Sequence, residues 1–296
     1  MNGLAPAAAQ VPPLPEPDAP RRRNRLVRRF VRRRLAVLGL VMVGAFVTLA
    51  IISPLLGSAT AQDFANVMVP PSWAHLLGTD DLGRSELART ATGARVSLLA
   101  GVLSTALALV LAVPIGLVAG YYRGWVDAVV TRLTDVMLAF PFLILAVGLA
   151  AILGASLRNV VLALALAQLP GLVRVTRGEV MALREQDYVP AAVADGARDV
   201  TIMARFILPN AMSTLIVQAT VAIPGAIIGE ATLSFLGLGV QPPTPSWGTM
   251  LSAAQGFLDQ APWLAVFPGL AIAVTTLGFN LLGDGLRDVL DPRSIR

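Results

Sequence analysis

The sequence predicts an all-α integral membrane protein with six transmembrane helices. Of its 296 residues, 55% are hydrophobic and only 14% are charged, which is far more apolar than a soluble domain. Several runs with few or no charges are long enough to cross about 30 Å of hydrocarbon at about 1.5 Å per residue. All 23 basic residues are arginine, and nine of them lie directly before the first apolar run. Such uneven placement of positive charge is typical of a chain oriented in a membrane.

The first span is predicted at residues 35–56, which contain no charge. Residues 1–34 precede it and are expected to form a disordered tail, because their first part is rich in alanine and proline and their second part in arginine. Four more runs are long and mainly apolar, and they cover residues 97–120, 129–153, 215–236 and 263–282.

A weaker span is predicted at residues 160–173, which are few for a membrane crossing and include Pro170 and Gly171. The helical pattern can continue through Arg174 and Arg177 toward Leu183. We therefore expect this helix to emerge from the membrane into the cytoplasm.

The arginines also predict orientation, since six spans place both termini on the same side. With cytoplasmic termini, eighteen arginines fall in cytoplasmic segments and four on the opposite side. The chain then consists of a cytoplasmic tail, a first span, an extracytoplasmic loop, a helical core and a second cytoplasmic tail, at residues 1–34, 35–56, 57–96, 97–283 and 284–296. The arginine-rich stretch could instead bind nucleic acid, but its place beside a transmembrane helix favours anionic lipid. We expect no nucleic-acid partner.

Composition also excludes several kinds of chemistry. Because the chain has no cysteine, disulfides, thiolate catalysis and cysteine metal sites are ruled out. The single histidine, His75, cannot form a histidine cluster and is expected to be solvated. Without lysine the chain cannot build a phosphate-binding P-loop. We expect no metal, no cofactor and no catalysis within this chain.

The most informative segment is the loop at residues 187–211, which is too apolar to be only a linker. Asp187 can cap a short helix whose first turn tolerates Pro190. The small side chains that follow would admit close approach of a partner, and Gly196 permits a sharp bend. The small residues are Ala191, Ala192 and Ala194.

A second short helix is expected after the bend. Val200, Met203 and Ile207 recur at spacings of three and four, which is the apolar stripe of an amphipathic helix. Pro209 is expected to end or kink this helix before the fifth span. The loop should therefore protrude as a helix, a turn and a helix.

This loop resembles the EAA loop of ABC importer permeases, in which Glu-Ala-Ala, three residues, Gly and nine residues precede Ile-x-Leu-Pro. Matching positions are Ala191, Ala192, Gly196, Leu208 and Pro209. Pro190 replaces the glutamate and Phe206 the isoleucine, so a charged contact and a capping-box partner are lost. The resemblance implies that an ATPase is contacted by Asp187, Tyr188, Val189, Pro190, Ala191, Ala192, Ala194, Asp195, Gly196, Leu208 and Pro209.

Three further segments, at residues 75–90, 230–248 and 280–293, are similar to dipeptide and oligopeptide permeases, in particular their C-type subunit. The resemblance implies a type I ABC importer permease fold in a multi-pass protein of the bacterial inner membrane. It further implies a homologous permease in a heterodimer, two ABC ATPase subunits that bind ATP and Mg, and an extracytoplasmic binding protein. The implied substrates are di- or oligopeptides, although related C-type permeases also serve nickel chelates and other small solutes.

Some residues admit two interpretations. The GTDDLGR segment at residues 78–84 is either a turn-rich loop with helix caps or the entry to an extracytoplasmic helix at residues 85–96 that contacts the binding protein. Glu230 lies in the outer part of a span, where a carboxylate is costly unless it is paired. It is either a functional intramembrane site or, as we favour, a hydrogen-bond partner of a neighbouring helix. Asp284 and Arg287 are expected to pair at a helix end, and Gly229, Gly237 and Gly239 to be close-packing or bend positions.

Two other classes of protein remain as alternatives. A secondary transporter working alone would show an internal repeat and ionisable residues at the membrane midplane, and the sequence shows neither. A membrane scaffold or receptor that transports nothing would leave the spacing of the 187–211 loop unexplained.

Overall fold

A computed structural model describes residues 28–290, which form helices joined mostly by short loops. A longer irregular segment at residues 56–85 contains one isolated bridge between Thr79 and Ser85. The helices are α1 (Arg34–Ile52), α2 (Glu86–Tyr122), α3 (Gly124–Leu138), α4 (Phe142–Leu153), α5 (Leu157–Arg184), α6 (Tyr188–Ala194), α7 (Asp199–Phe235), α8 (Trp247–Ala254) and α9 (Trp263–Leu290). The tail predicted at residues 1–34 lies largely outside the described part, but residues 28–32 are helical rather than disordered.

Five of these helices, α1, α2, α5, α7 and α9, are each long and apolar enough to cross a membrane. The single span predicted at residues 129–153 is instead two helices, α3 and α4, which meet at 89°. Pro141 explains the break, because it cannot donate a helical hydrogen bond and it pushes the residue before it out of the helical conformation. Counted as one broken span, this pair brings the total to the six that the sequence predicts.

The other boundaries differ from prediction in length. The helix expected at residues 85–96 of the extracytoplasmic loop is not separate from the next span, because α2 begins at Glu86 and runs for 37 residues without a break. The weaker span predicted at residues 160–173 is confirmed as α5, which passes through Pro170 and ends at Arg184. Residues 284–290, assigned by sequence to the second tail, belong to α9.

Helix α2 lies at the centre of the bundle, where it contacts α1, α5, α7 and α9. Its buried positions are dominated by small residues, among them Ala91, Ala94, Ala100, Ala108 and Ala112. Lipid gives little hydrophobic drive for helix association, so small side chains that bring backbones into van der Waals contact become the main source of packing energy. The position of α2 in the bundle therefore depends on close packing at its small side chains.

The same principle joins α1 to α9. A Cβ atom on Gly39 would lie 2.7 Å from the carbonyl oxygen of Gly278 and 2.7 Å from the backbone nitrogen of Leu282. Farther along, a Cβ atom on Gly285 would lie 2.2 Å from the Cβ of Ala36. These two contacts hold the first span directly against the last.

Substitution of Gly39 by isoleucine should separate α1 from α9, because the new side chain would meet backbone that cannot move aside. We expect a loss of about 1–3 kcal/mol of stability, the usual effect of overpacking. Thermal unfolding of the purified protein in detergent measures the change. Gly44→Ile on the same helix is the matched control, since nothing lies within 4 Å of a Cβ atom there. Equal melting temperatures for the two variants would contradict this packing.

Candidate functional site

The loop at residues 187–211 begins with the short helix α6, as predicted, but Asp187 does not cap it with its side chain. Asp187 occupies the N-cap position in a helical conformation (φ −55°, ψ −28°). A capping side chain needs an extended backbone to reach the free N–H groups of the first turn. The capping prediction is therefore wrong.

One face of α6 is buried against the membrane helices. Val189 and Ala192, three residues apart, pack in a cluster with Leu117 of α2 and Val180 of α5. The prediction that Ala192 belongs to the outer small-residue surface is wrong, since this residue is 6% exposed. The remaining face is turned outward and consists of Pro190, Ala191, Val193, Ala194, Asp195 and Gly196. We call these six residues the outer face of α6.

The bend predicted at Gly196 is confirmed, and its geometry explains why glycine stands there. Gly196 has a φ of +78°, in the left-handed region that side chains with a Cβ disfavour. Its N–H donates to the carbonyl of Val193 at 3.0 Å, and the N–H of Ala197 donates to the carbonyl of Ala192 at 3.0 Å. This pair of bonds is the Schellman motif that closes a helix C-terminus.

The second short helix is not separate from the fifth span, contrary to prediction. Helix α7 starts at Asp199, contains a π-helical segment at Ile202–Ile207, and continues past Pro209 to Phe235. Pro209 does not end the helix, because the wider π-helical turns directly before it accommodate the missing N–H and the bulk of the ring.

The π-helical segment also changes which side chains face inward. Ile202 and Ile207, five residues apart, are fully buried, whereas Val200 is 69% exposed. The predicted stripe of Val200, Met203 and Ile207 assumed ordinary α-helical spacing, so Val200 was placed on the wrong face. Val200 instead adds an apolar side chain to the exposed surface of the loop.

Polar contacts hold the loop to the ends of two spans. The Tyr121 hydroxyl of α2 donates to Asp199 Oδ1 at 2.8 Å. The Arg184 guanidinium of α5 lies over the Tyr121 ring, 5.3 Å from its centroid. Tyr188 is partly buried against the apolar cluster that contains Val189 and Ala192, and desolvation raises the pKa of its phenol. These contacts attach the loop to α2, α5 and α7.

Ion pairs between α3 and α5 were missed by the sequence analysis. Arg177 forms a bidentate pair with Asp127, and Arg174 pairs with Asp135 at 2.5 Å. A further pair joins Arg123 to Glu185 at 2.5 Å. The sequence showed these arginines only as indicators of orientation, because their partners lie 39 to 62 residues away. The pairs fasten the broken span to the helix that carries the loop.

Glu230 lies near the far end of α7, about 30 Å from Asn210 at about 1.5 Å per residue. Its side chain is fully buried and accepts hydrogen bonds from Ser97 of α2 at 2.6 Å and from Ser234 at 2.7 Å. The hydroxyl of Ser246, which caps α8, is a third partner. These contacts support the structural interpretation of Glu230, as a junction of three helices.

The GTDDLGR segment folds inward beside α2. Asp80 Oδ1 accepts from the backbone N–H groups of Leu82 and Arg84, and Oδ2 pairs with Arg84 at 2.6 Å and with Arg89 at 3.2 Å. Glu86 and Arg89 are buried within this chain. The contacts favour the interpretation as a turn with helix caps, and the first turn of α2 is not a free surface for a binding protein.

The packing also bears on the predicted ion pair and on three glycines. Within residues 28–290 no ion pair joins Asp284 to Arg287, and Arg33 pairs with Asp288 at 2.8 Å. The roles of the three glycines are confirmed: Gly229 packs against Leu164, Gly237 has a positive φ, and Gly239 contacts Ser234. No group of three or more potential ligands that could hold a metal occurs in the described residues.

Comparison with known proteins agrees with this architecture. Residues 112–296 match the family "Binding-protein-dependent transport system inner membrane component", and residues 23–71 match the "N-terminal TM domain of oligopeptide transport permease C". The dipeptide transport system permease protein of Alkalihalophilus pseudofirmus is 44% identical over 264 residues, which cover 88% of this chain and 87% of the relative.

Two further relatives extend along nearly the whole chain. A glutathione transport system permease protein of Escherichia coli is 42% identical over 297 residues, covering 99% of this chain and 98% of the relative. A di/tripeptide transport system permease protein of Pseudomonas aeruginosa is 42% identical over 303 residues, with the same coverage.

Replacement of Glu230 by alanine should destabilise the junction of α2, α7 and α8, because buried hydroxyl groups would lose their acceptor. We expect a loss of about 1–3 kcal/mol, measured by thermal unfolding in detergent. Thr232→Ala is the control, since that exposed hydroxyl bonds only to the carbonyl of Ile228 in its own helix. A Glu230→Ala protein with the original melting temperature but no transport would show instead that the carboxylate acts in function.

Proposed function

We propose that this chain, which belongs to the family of inner membrane components of binding-protein-dependent transport systems, forms half of the pathway through which an ATP-driven importer takes up di- or oligopeptides. The chain is a non-catalytic permease subunit, and ATP hydrolysis belongs to a separate partner. The single observation that supports the proposal most directly is the outer face of α6, which is exposed while the rest of that helix is docked on the transmembrane bundle.

Peptides are the proposed substrates because the relatives are named for dipeptide, di/tripeptide and glutathione transport. A nickel chelate or another small solute is the alternative within the same class of transporter. Uptake assays with the assembled importer decide between them.

The ATPase partner is proposed to bind at the outer face of α6 and at the neighbouring Val200. Val193 is 55% exposed and Val200 is 69% exposed, and apolar side chains in these positions suit a groove on another protein. ATP and Mg would be held by two such ATPase subunits, one on this chain and one on its permease partner. Leu208 and Pro209 lie at the start of the continuous α-helical part of α7 and would pass the movement of the loop into that span.

A homologous permease is proposed to complete the pathway. The broken span exposes large apolar side chains on α3, on α4 and between them, namely Leu133, Val136, Phe140, Ile144 and Ile152. Lipid or a partner helix can cover these side chains. An extracytoplasmic binding protein would deliver substrate to the assembled pair on the side of the membrane opposite α6.

Gly196→Val should uncouple transport from ATP hydrolysis. A β-branched residue is strongly disfavoured at a φ of +78°, so the Schellman motif should open and the outer face of α6 should lose its position. The test is reconstitution of the complete importer, with measurement of dipeptide uptake, substrate-stimulated ATP hydrolysis and co-purification of the ATPases. We expect uptake to be lost together with stimulation or ATPase association, while membrane insertion survives.

Gly196→Asn is the matched variant, because asparagine tolerates the left-handed conformation better than other residues with a Cβ. It should retain more uptake than Gly196→Val. Full uptake by the valine variant at equal expression would show that this loop is not the coupling element.

Both termini are proposed to face the cytoplasm of a bacterium, with the protein in the inner membrane. A reporter fused after Arg296 should be active only if it requires the cytoplasm, because the arginines are concentrated in the segments assigned to that side. A tag at Asp63, in the exposed loop after α1, should be accessible only from outside. The reverse pattern would overturn the orientation and place α6 away from any cytoplasmic ATPase.

A further inference from the structure

A cavity of about 560 Å³ lies where the ends of α5, α7 and α9 converge. We call it the three-helix cavity. It opens beside the loop at residues 187–211, because Asn210 both lines the cavity and follows Pro209 directly. Its volume is within the range of about 300–1,000 Å³ that is typical of sites for small ligands.

Helix α7 contributes a largely polar wall, in which Val217 and Val221 are the apolar members. Ser213, Thr214 and Gln218 all line the cavity, and Thr214 and Gln218, four residues apart, share one face of the helix. Within residues 28–290 none of these three side chains has a hydrogen bond to the protein. Polar groups left without partners in hydrocarbon are costly, so this face is expected to contact water or a polar solute.

The other face of the same part of α7 behaves differently. Met212 and Ile216 are each 43% exposed and do not line the cavity. Apolar side chains of this kind are what lipid or an apolar partner helix accepts. The division of α7 into a polar cavity face and an apolar outer face assigns the cavity to an aqueous pathway.

The rim carries charges of both signs. Glu179 of α5 and Asp284 and Arg287 of α9 line the cavity, and no ion pair engages any of them within the described residues. Asp284 and Arg287 are three residues apart, so their Cβ atoms are about 5–6 Å apart, yet they do not pair. A dipeptide has an ammonium and a carboxylate separated by about 7 Å. The cavity thus presents charged groups of both signs, which the two ends of a short zwitterionic peptide require.

We propose that the three-helix cavity is the cytoplasmic exit site of the pathway and binds the transported peptide by its charged ends. Arg287 receives the carboxylate, and Glu179 and Asp284 receive the ammonium group. Ser213, Thr214 and Gln218 supply hydrogen bonds to the peptide backbone, which every peptide has whatever its side chains. This role rests on the proposed import of peptides, and it gives the site a preference for free termini over any particular sequence.

The first test uses the absence of cysteine from this chain, so that one introduced thiol is its only one. Gln218→Cys is built into the complete importer in inside-out vesicles and treated with a charged, membrane-impermeant thiol reagent. Ile216→Cys is the control on the apolar face. We expect Gln218→Cys to react at least about tenfold faster, because the reactive thiolate is suppressed in apolar surroundings. Equal rates at the two positions would overturn the assignment of the cavity to an aqueous pathway.

The second test asks what the cavity recognises. Dialanine should slow the labelling of Gln218→Cys, whereas N-acetyl-dialanine amide, which lacks both charges, should not. Adding Arg287→Gln should raise the dialanine concentration needed for protection by about tenfold, the effect of losing a charge-assisted hydrogen bond. Arg158→Gln, an exposed arginine at the other end of α5, should leave protection unchanged. Equal protection by both peptides, or none by either, would overturn the exit site.

Uptake of labelled dialanine by the importer with the original chain separates this inference from the proposed function. Labelling and protection need neither the binding protein nor ATP, so they test the cavity alone. Peptide uptake without protection at Gln218→Cys would reject the exit site and leave the peptide importer intact. Failure of the original chain to support uptake of any peptide would reject the proposed substrate class.

Discussion

The bilayer offers no water to polar groups and little hydrophobic drive between helices, and the arrangement of this bundle depends on that constraint. Helix α2 is surrounded because its alanines let neighbouring backbones approach. The first and last spans meet at Gly39, where even one added carbon would collide with backbone. Close packing of this kind makes helices move as units, since a well-packed interface has no room for gradual deformation. A transporter that must open alternately to two sides can therefore do so by shifting whole helices.

The two ends of α7 differ in how they are packed. At the C-terminal end, the Glu230 carboxylate joins α2, α7 and α8 through buried hydroxyl groups, and Asp80 holds two arginines beside the start of α2. At the other end, α6 and the π-helical segment rest on α2 and α5 while presenting an exposed face. One end is thus a fixed junction and the other is available to a partner. A single continuous helix, Asp199–Phe235, connects the two ends.

The charged groups likewise fall into two kinds, those that hold helices together and those that have no ion-pair partner within residues 28–290. Arg174 and Arg177 are paired with aspartates of α3, which fastens the broken span to α5 and leaves those charges compensated. Around the three-helix cavity, acidic and basic side chains line the walls, and no ion pair engages them within residues 28–290. Paired charges stabilise an arrangement of helices, whereas unpaired charges in a concave site are ready for a ligand. Ion pairs between helices together with unpaired charges around a cavity suit a transport pathway that has rigid walls and binds its solute only transiently.

The sequence by itself determined the fold class, the positions of the spans, the family and the bend at Gly196, because each follows from local composition or from fixed spacing along the chain. It did not predict the 89° break at Pro141, although proline is a local signal for such a break. It also did not reveal the π-helical segment that turns Val200 outward or the burial of Ala192, which depend on packing against distant helices. The partners of Glu230, Arg174 and Arg177 were also decided only by the tertiary structure. So was the three-helix cavity, since its three walls come from segments that are remote in the chain, and no periodicity within one segment indicates which faces of different helices will meet.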